Sequence, residues 1–177
     1  MSRHLSARLN IPHIELDALN WQPGWRDLTR YDPEEFERRV THAIDAPDWI
    51  ADGNYVSVRD QIWARATDLV WLDYERRVIM KRVVIRSLGR VMLRTELWSG
   101  NRERWSNFVR PSHPIRWAWR SWEQQRSDTE LRVQSAKFAH LTVLRLRTPR
   151  ETKLTIERLA DRAAGREISV GYPGNAR

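Results

Sequence analysis

The chain of 177 residues has no cysteine, which removes disulfides, thiolate metal sites and cysteine nucleophiles and is compatible with a reducing compartment. No apolar run approaches the length of a membrane-spanning helix, and the opening MSRHLSARLN is too polar for a secretory signal. The expectation is a cytoplasmic protein that does not enter a membrane. Lysine is nearly absent: Lys81, Lys137 and Lys153 stand against 28 arginines among 31 basic residues. The five histidines, His4, His13, His42, His113 and His140, lack ligand spacing, so no metal site is expected. No G-x-S-x-G setting is present for a serine nucleophile.

What is present is basic charge, unevenly placed. The net charge is +8, and residues 76–126 alone hold thirteen Lys/Arg against three Asp/Glu. Such a block suits phosphate-bearing partners, either a nucleotide or nucleic acid, or is a solvated surface of an Arg-rich chain. Arg82, Arg86, Arg90 and Arg94 recur every fourth residue of a helix expected over about 75–93. They form a basic stripe whose mutual repulsion anions would relieve. Gly89 is a candidate hinge in that helix. In residues 95–126 Trp98, Trp105, Trp117, Trp119 and Trp122 alternate with arginines. Interleaving of this kind suits single-stranded nucleic acid or the core and rim of a small helical lid. Pro111 and Pro114 are expected to split it into at least two short helices. Nothing resembles an RNA-recognition signature, a KH loop or a zinc knuckle.

The remaining chain alternates strand and helix, which argues an α/β fold with a parallel sheet. A helix is expected over Ser2–Leu9 and a strand near Ile14, ending at Asp17. A loop over residues 19–32 then carries Trp21 and Trp25, with packing favoured over ligand stacking. Asp32-Pro33-Glu34-Glu35 and Thr148-Pro149-Arg150-Glu151 are helix starts. Two apolar runs, Trp49–Ala51 and Leu69–Leu72, read as strands buried on both faces, each ending in an aspartate. Ligands of such sheets bind past the carboxyl ends of the strands, which places Asp52, Asn54, Arg59 and Asp73 as candidates. The alternative is that the aspartates only cap or turn the chain. A last strand is expected over Leu141–Leu146. Residues 1–164 read as one domain, with a basic helical insertion at about 76–137 and a flexible tail at 165–177.

The segments IPHIELDALNWQPGW, WIADGNYVSVRDQIW, DLVWLDYERR, ELWSGNRE and LRLRTPRE, in this order, resemble the adenylate-kinase-related P-loop kinases, in particular the group of DNA topology modulation proteins. The resemblance covers roughly residues 2–163 and implies a P-loop NTPase-like parallel sheet with a helical lid. It implies ATP and Mg²⁺ as cofactors of a full-length relative and a nucleotide or other small phosphate acceptor as partner. It also implies roles. Asp17, Asp52, Asn54 and Arg59 would bind the acceptor; Arg86, Arg90 and Arg94, with Arg82, would close over the transferring phosphates. Asp73, Asn101 and Arg102 would belong to the lid, and Arg147 to the loop beside the base. The chain departs from the pattern at one point: none of its seven glycines is followed by lysine, so the phosphate-cradling G-x-x-x-x-G-K-[ST] loop is absent. The central strand of the implied 2-3-1-4-5 order, between those of Ile50 and Val70, is then missing too, through a start assigned too late or a real loss. The expectation is a chain with no useful kinase activity that binds no ATP of its own. Open strand edges in mid-sheet would also lower its stability.

Overall fold

The computed structural model describes residues 1–103, 105 and 114–163. Within them the protein is α/β, with helices predominating over small sheets. Helix α1 (Ser2–Leu9) stops at Asn10, whose left-handed backbone (φ 56°, ψ 41°) turns its N–H back to Ser6. Strand β1 (His13–Glu15) follows. Where a strand running to Asp17 and then a loop over 19–32 were expected, the chain forms helix α2 (Leu16–Asn20), a hairpin of β2 (Trp21–Gln22) and β3 (Arg26–Asp27), and helix α3 (Leu28–Tyr31). The reason is side-chain capping that replaces repetitive structure. The Thr29 N–H donates to both Asn20 Oδ1 (2.9 Å) and Asp27 Oδ1 (3.0 Å), while Leu16 and Leu28 are buried as anchors.

Helix α4 (Pro33–Ala43) starts as its sequence dictates: Asp32 accepts from the Glu35 N–H at 3.2 Å, and Pro33 occupies the first turn. Its apolar face buries Phe36 and Val40, and Ile44 follows in the same core, each contributing about 1.5–3 kcal/mol by area. Then come β4 (Ile50–Asp52), α5 (Val56–Arg65), β5 (Asp68–Leu72), α6 (Arg76–Met92), a single turn at Trp98–Gly100, α7 (Pro114–Val133), β6 (Thr142–Leu146) and α8 (Pro149–Ala163). Thr148 Oγ1 accepts from the Glu151 N–H, and Glu151 reaches back to the Arg147 N–H, a reciprocal cap.

Two expectations on the basic block change. The helix over 76–92 runs unbroken through Gly89, which has open space about it. Pro114 opens one twenty-residue helix, because its missing N–H costs nothing in a first turn; Pro111 lies outside the described residues, as does the tail at 165–177.

The strands pair in twos. β1 and β4 are parallel with Ile14 opposite Ala51 and Glu15 opposite Asp52; β5 and β6 are parallel with Val70 opposite Leu144. β4 and β5, consecutive and joined by α5, share no ladder. The expected burial on both faces is therefore only partial: Ile50, Ala51, Leu69 and Val70 are half-buried and Leu72 is exposed, because each strand is paired along one edge only. The main core gathers Ile14 and Leu16, the faces of α4 and α5 (Val58, Ile62, Trp63) and Phe138. Trp63 and Phe138 meet edge to face at 5.1 Å. Helix α1 packs against β1, β4 and α8.

Candidate functional site at the strand ends and helix α6

The parallel register of β1 and β4 brings their carboxyl ends together, and with them Glu15, Asp17 and Asp52. Asp17 lies in the first turn of α2, where Tyr55 donates its hydroxyl to Asp17 Oδ1 at 2.6 Å. Burial pushes the Asp17 carboxyl above the usual carboxylate range; the Tyr55 hydrogen bond pulls it down, Glu15 and Asp52 push it up again, and Arg86 lowers it. The Tyr55 hydroxyl is driven far above its ordinary range by burial and by the charge of Asp17. His13 Nε2 sits 3.1 Å from Asp52 Oδ2 across the ladder. The loop after β4 passes Leu16 so closely that a Cβ on Gly53 would stand 2.7 Å from Leu16 Cβ, and its φ of 126° admits only glycine comfortably. Glycine is thus what lets the loop between Asp52 and Asn54 pass against Leu16 of α2.

Helix α6 supplies the cations, in unequal states. Arg82 stacks over Tyr74 at 5.0 Å. Arg90 pairs with Glu103 at 3.2 Å and lies over Trp98 at 5.6 Å. Arg94 falls beyond the last turn with φ 47°, so the stripe holds three residues on the helix and not four. Arg86 has no carboxylate within ion-pair distance among the described residues. It is an exposed residue, yet burial is the first cause holding its guanidinium below the usual range, and repulsion from Arg90 the second; Asp17 and Glu103 act in the opposite sense. Arg86 and Asp52 thus each act on Asp17, from the helix side and from the strand side.

Other expected site residues are placed elsewhere. Arg59 is 5% exposed and bonded to Asp128 Oδ2 at 2.6 Å, so its charge is spent on fastening α5 to α7 and is not offered to an acceptor. Asn101 is buried and structural: its Oδ1 accepts from the Trp25 N–H (2.9 Å) and its Nδ2 donates to the carbonyls of Gln22 and Trp98. That contact seats the Trp21–Trp25 hairpin on the turn after α6, the packing role expected of those tryptophans. Arg102 pairs with Glu96 at the surface. Arg147 is exposed, and the bond it makes is a backbone one.

Asp73, at the end of β5, is fully buried and clamped by Arg126 Nε (2.8 Å) and Arg145 Nη2 (2.7 Å). It borders a cavity of about 190 Å³ that also includes Asn54, Trp122 and Gln125. Arg126, Arg145 and this cavity carry no signal in the sequence, and Tyr55 stands there only as the last residue of the loop Asp52-Gly53-Asn54-Tyr55, with no role of its own.

Among the described residues no three His, Asp or Glu side chains are grouped to hold a metal ion, and no helix is long and apolar enough to cross a membrane. Compared with protein-family models, with curated proteins and with solved structures, the chain matches none.

Proposed function

We propose that this chain binds a phosphate-bearing small molecule between the carboxyl ends of β1 and β4 and helix α6. In this reading it is the acceptor-side part of an adenylate-kinase-related phosphotransferase. The observation that carries the reading is the parallel pairing that sets Glu15 opposite Asp52, with Asp17 just beyond, and Arg86 acting on Asp17 from α6 with no ion-paired acid among the described residues. The strand pairing supports it too, since β1–β4 and β5–β6 correspond to the two outer pairs of the implied order. Arg86 would take the anion, and Asp17 and Asp52 would orient hydroxyl groups of the ligand. The residues present do not fit an ATP phosphate cradle, because no Gly-Lys pair exists in the chain. The chain as given therefore binds without transferring.

Calorimetry with inorganic pyrophosphate, and an assay of phosphoryl transfer from ATP, test this. Pyrophosphate binds, Arg86→Ala weakens it about tenfold or more, as loss of a charged hydrogen bond does, and no transfer is seen. Binding indifferent to R86A, or salt-resistant transfer by this chain, overturns the reading.

A second reading, single-stranded nucleic-acid binding, is favoured by the exposure of Trp117 and Trp119 beside Arg116 and Arg120 on α7. Against it, Arg76 already covers Trp119 at 3.6 Å. Oligonucleotide affinity that falls steeply with salt and is lost in Trp117→Ala would establish it.

A further inference from the structure

We infer that the outer face of helix α6 is a docking surface for a partner protein, and that the partner presents to it an amphipathic α-helix with acidic flanks. This inference is independent of the anion site proposed above.

The surface follows from spacing within α6. Val78, Lys81, Ile85, Leu88 and Met92 are separated by three, four, three and four residues, the alternation that lines the contact side of a two-helix pair. The row runs for about 21 Å along the helix axis. The fold does not bury it. The buried residues of α6 are Val83, Ser87 and Val91, which lie about 140° round the helix from the row. Ile85 is 59% exposed and Met92 73%, and Leu93, just past the last turn, is 80% exposed. Val78 and Leu88 are half-buried. Single exposed apolar residues are ordinary on a protein surface, but apolar residues repeating at this spacing form one continuous patch.

The charge beside the row says what covers it. Arg77 and Arg82 flank it on opposite sides and Lys81 stands within it, while α6 holds no aspartate or glutamate. Among the described residues no acid pairs with Lys81 or Arg82; Arg82 meets the Tyr74 ring, and Arg77 makes a surface pair with Glu75. Gly89 sets no side chain on the Arg82 flank, and a Cβ there would meet nothing within 4 Å, so a second helix has room to come close.

A second copy of this chain suits the face poorly. In a parallel pair Lys81 and its flanking arginines would meet their own counterparts; in an antiparallel pair Lys81 would be covered by Leu88 with no acid to answer it. A bilayer suits it poorly too, because a helix lying in a lipid interface buries a broad apolar face, commonly with aromatic rings, and this row is narrow and has none. An acidic helix meets both halves of the pattern. Its apolar residues interdigitate with Ile85, Leu88 and Met92, and carboxylates on its flanks reach Arg77, Lys81 and Arg82.

The test offers the full chain two designed peptides of about three heptads, each with isoleucine and leucine along its contact side, one flanked by glutamates and the other by lysines. Fluorescence anisotropy at physiological salt reads the affinity, and circular dichroism reads helix gained on mixing. The glutamate peptide binds, and the lysine peptide binds about tenfold more weakly or worse. Ile85→Asp and Met92→Asp each weaken the glutamate peptide about tenfold or more. Both positions are exposed, so the unfolding midpoint stays that of the parent chain, and pyrophosphate affinity is unchanged. Lys81→Glu moves the preference towards the lysine peptide, a gain that misfolding cannot imitate. Failure of both peptides to bind, equal affinity for the two, or glutamate-peptide binding that I85D and M92D spare overturns the inference. So does a dimer in analytical ultracentrifugation that I85D dissolves, which would make the face a self-contact. Vesicles of phosphatidylcholine with phosphatidylglycerol complete the test: if they capture the chain through Ile85 while the peptides do not bind, the face is a lipid surface and the inference falls.

Discussion

The Arg59 guanidinium stands 2.6 Å from the Asp128 carboxylate, with its side chain almost wholly out of water, while Asp128 keeps about a third of its own surface exposed and also accepts from Arg132 at 3.1 Å. The pair joins the helix between β4 and β5 to the far end of α7. Its worth is asymmetric: losing the acid strands a buried cation, whereas losing both members leaves only apolar contacts.

Asp128→Ala is therefore expected to destabilise the chain by about 2 kcal/mol, less than the ~3–5 kcal/mol of a fully buried pair because solvent reaches the acid. The double variant R59M/D128A is expected to be more stable than D128A alone. Urea midpoints decide it; a double variant weaker than D128A would show that Arg59 has value beyond its partner.

Asp17 gives a pH-dependent prediction. Burial raises its folded pKa above the unfolded value near 3.8, so the folded state holds the proton longer. The group's ionisation then opposes folding above its folded pKa, and this penalty is absent below pH 3.8. Asp17→Asn, which can still accept from Tyr55, should raise the melting temperature at pH 7, with the gain shrinking as pH falls towards 4. Thermal scans across that range check the sign; a gain equal at both ends would mean that the effect is not electrostatic.

Gly53→Ala should cost about 2 kcal/mol or more, because φ 126° is closed to a side chain and the new methyl meets Leu16 Cβ. Its neighbours Asp52 and Asn54 would shift with it. Pyrophosphate affinity should fall in this variant even under conditions where circular dichroism shows it folded. Unchanged affinity would separate the loop from the site.

Where the sequence was legible, a local rule was enough. Asp32-Pro33 and Thr148-Pro149 announce helix starts through contacts within four residues, and the runs around Ile50 and Val70 announce strands by apolarity alone. The three cations Arg82, Arg86 and Arg90 were visible from their spacing. Spacing could not tell that Tyr74 and Glu103 engage two of them and leave Arg86 without a bonded acid. Arg59 reads as an available cation until Asp128, remote in sequence, is brought to it. Residues 16–31 escaped because elements of two to five residues are too short for any periodicity, and side chains such as Asn20 and Asp27 hold them. The aromatic cavity escaped for a similar reason: its walls come from β5 and α7, which only the packed chain unites.

The absence of a ladder between β4 and β5 gives the molecule a seam. One leaf carries β1 and β4 with Asp17 and Asn54, the other β5 and β6 with Asp73 and Trp71, and no strand hydrogen bonds cross between them. Among the described residues side chains and helices couple the leaves, so the amides of the two strand pairs should differ in exchange protection. The two leaves share one apolar core, with Leu69 and Val143 packed against the cluster of Ile14 and Val58, so the coupling that strand hydrogen bonds do not supply is apolar.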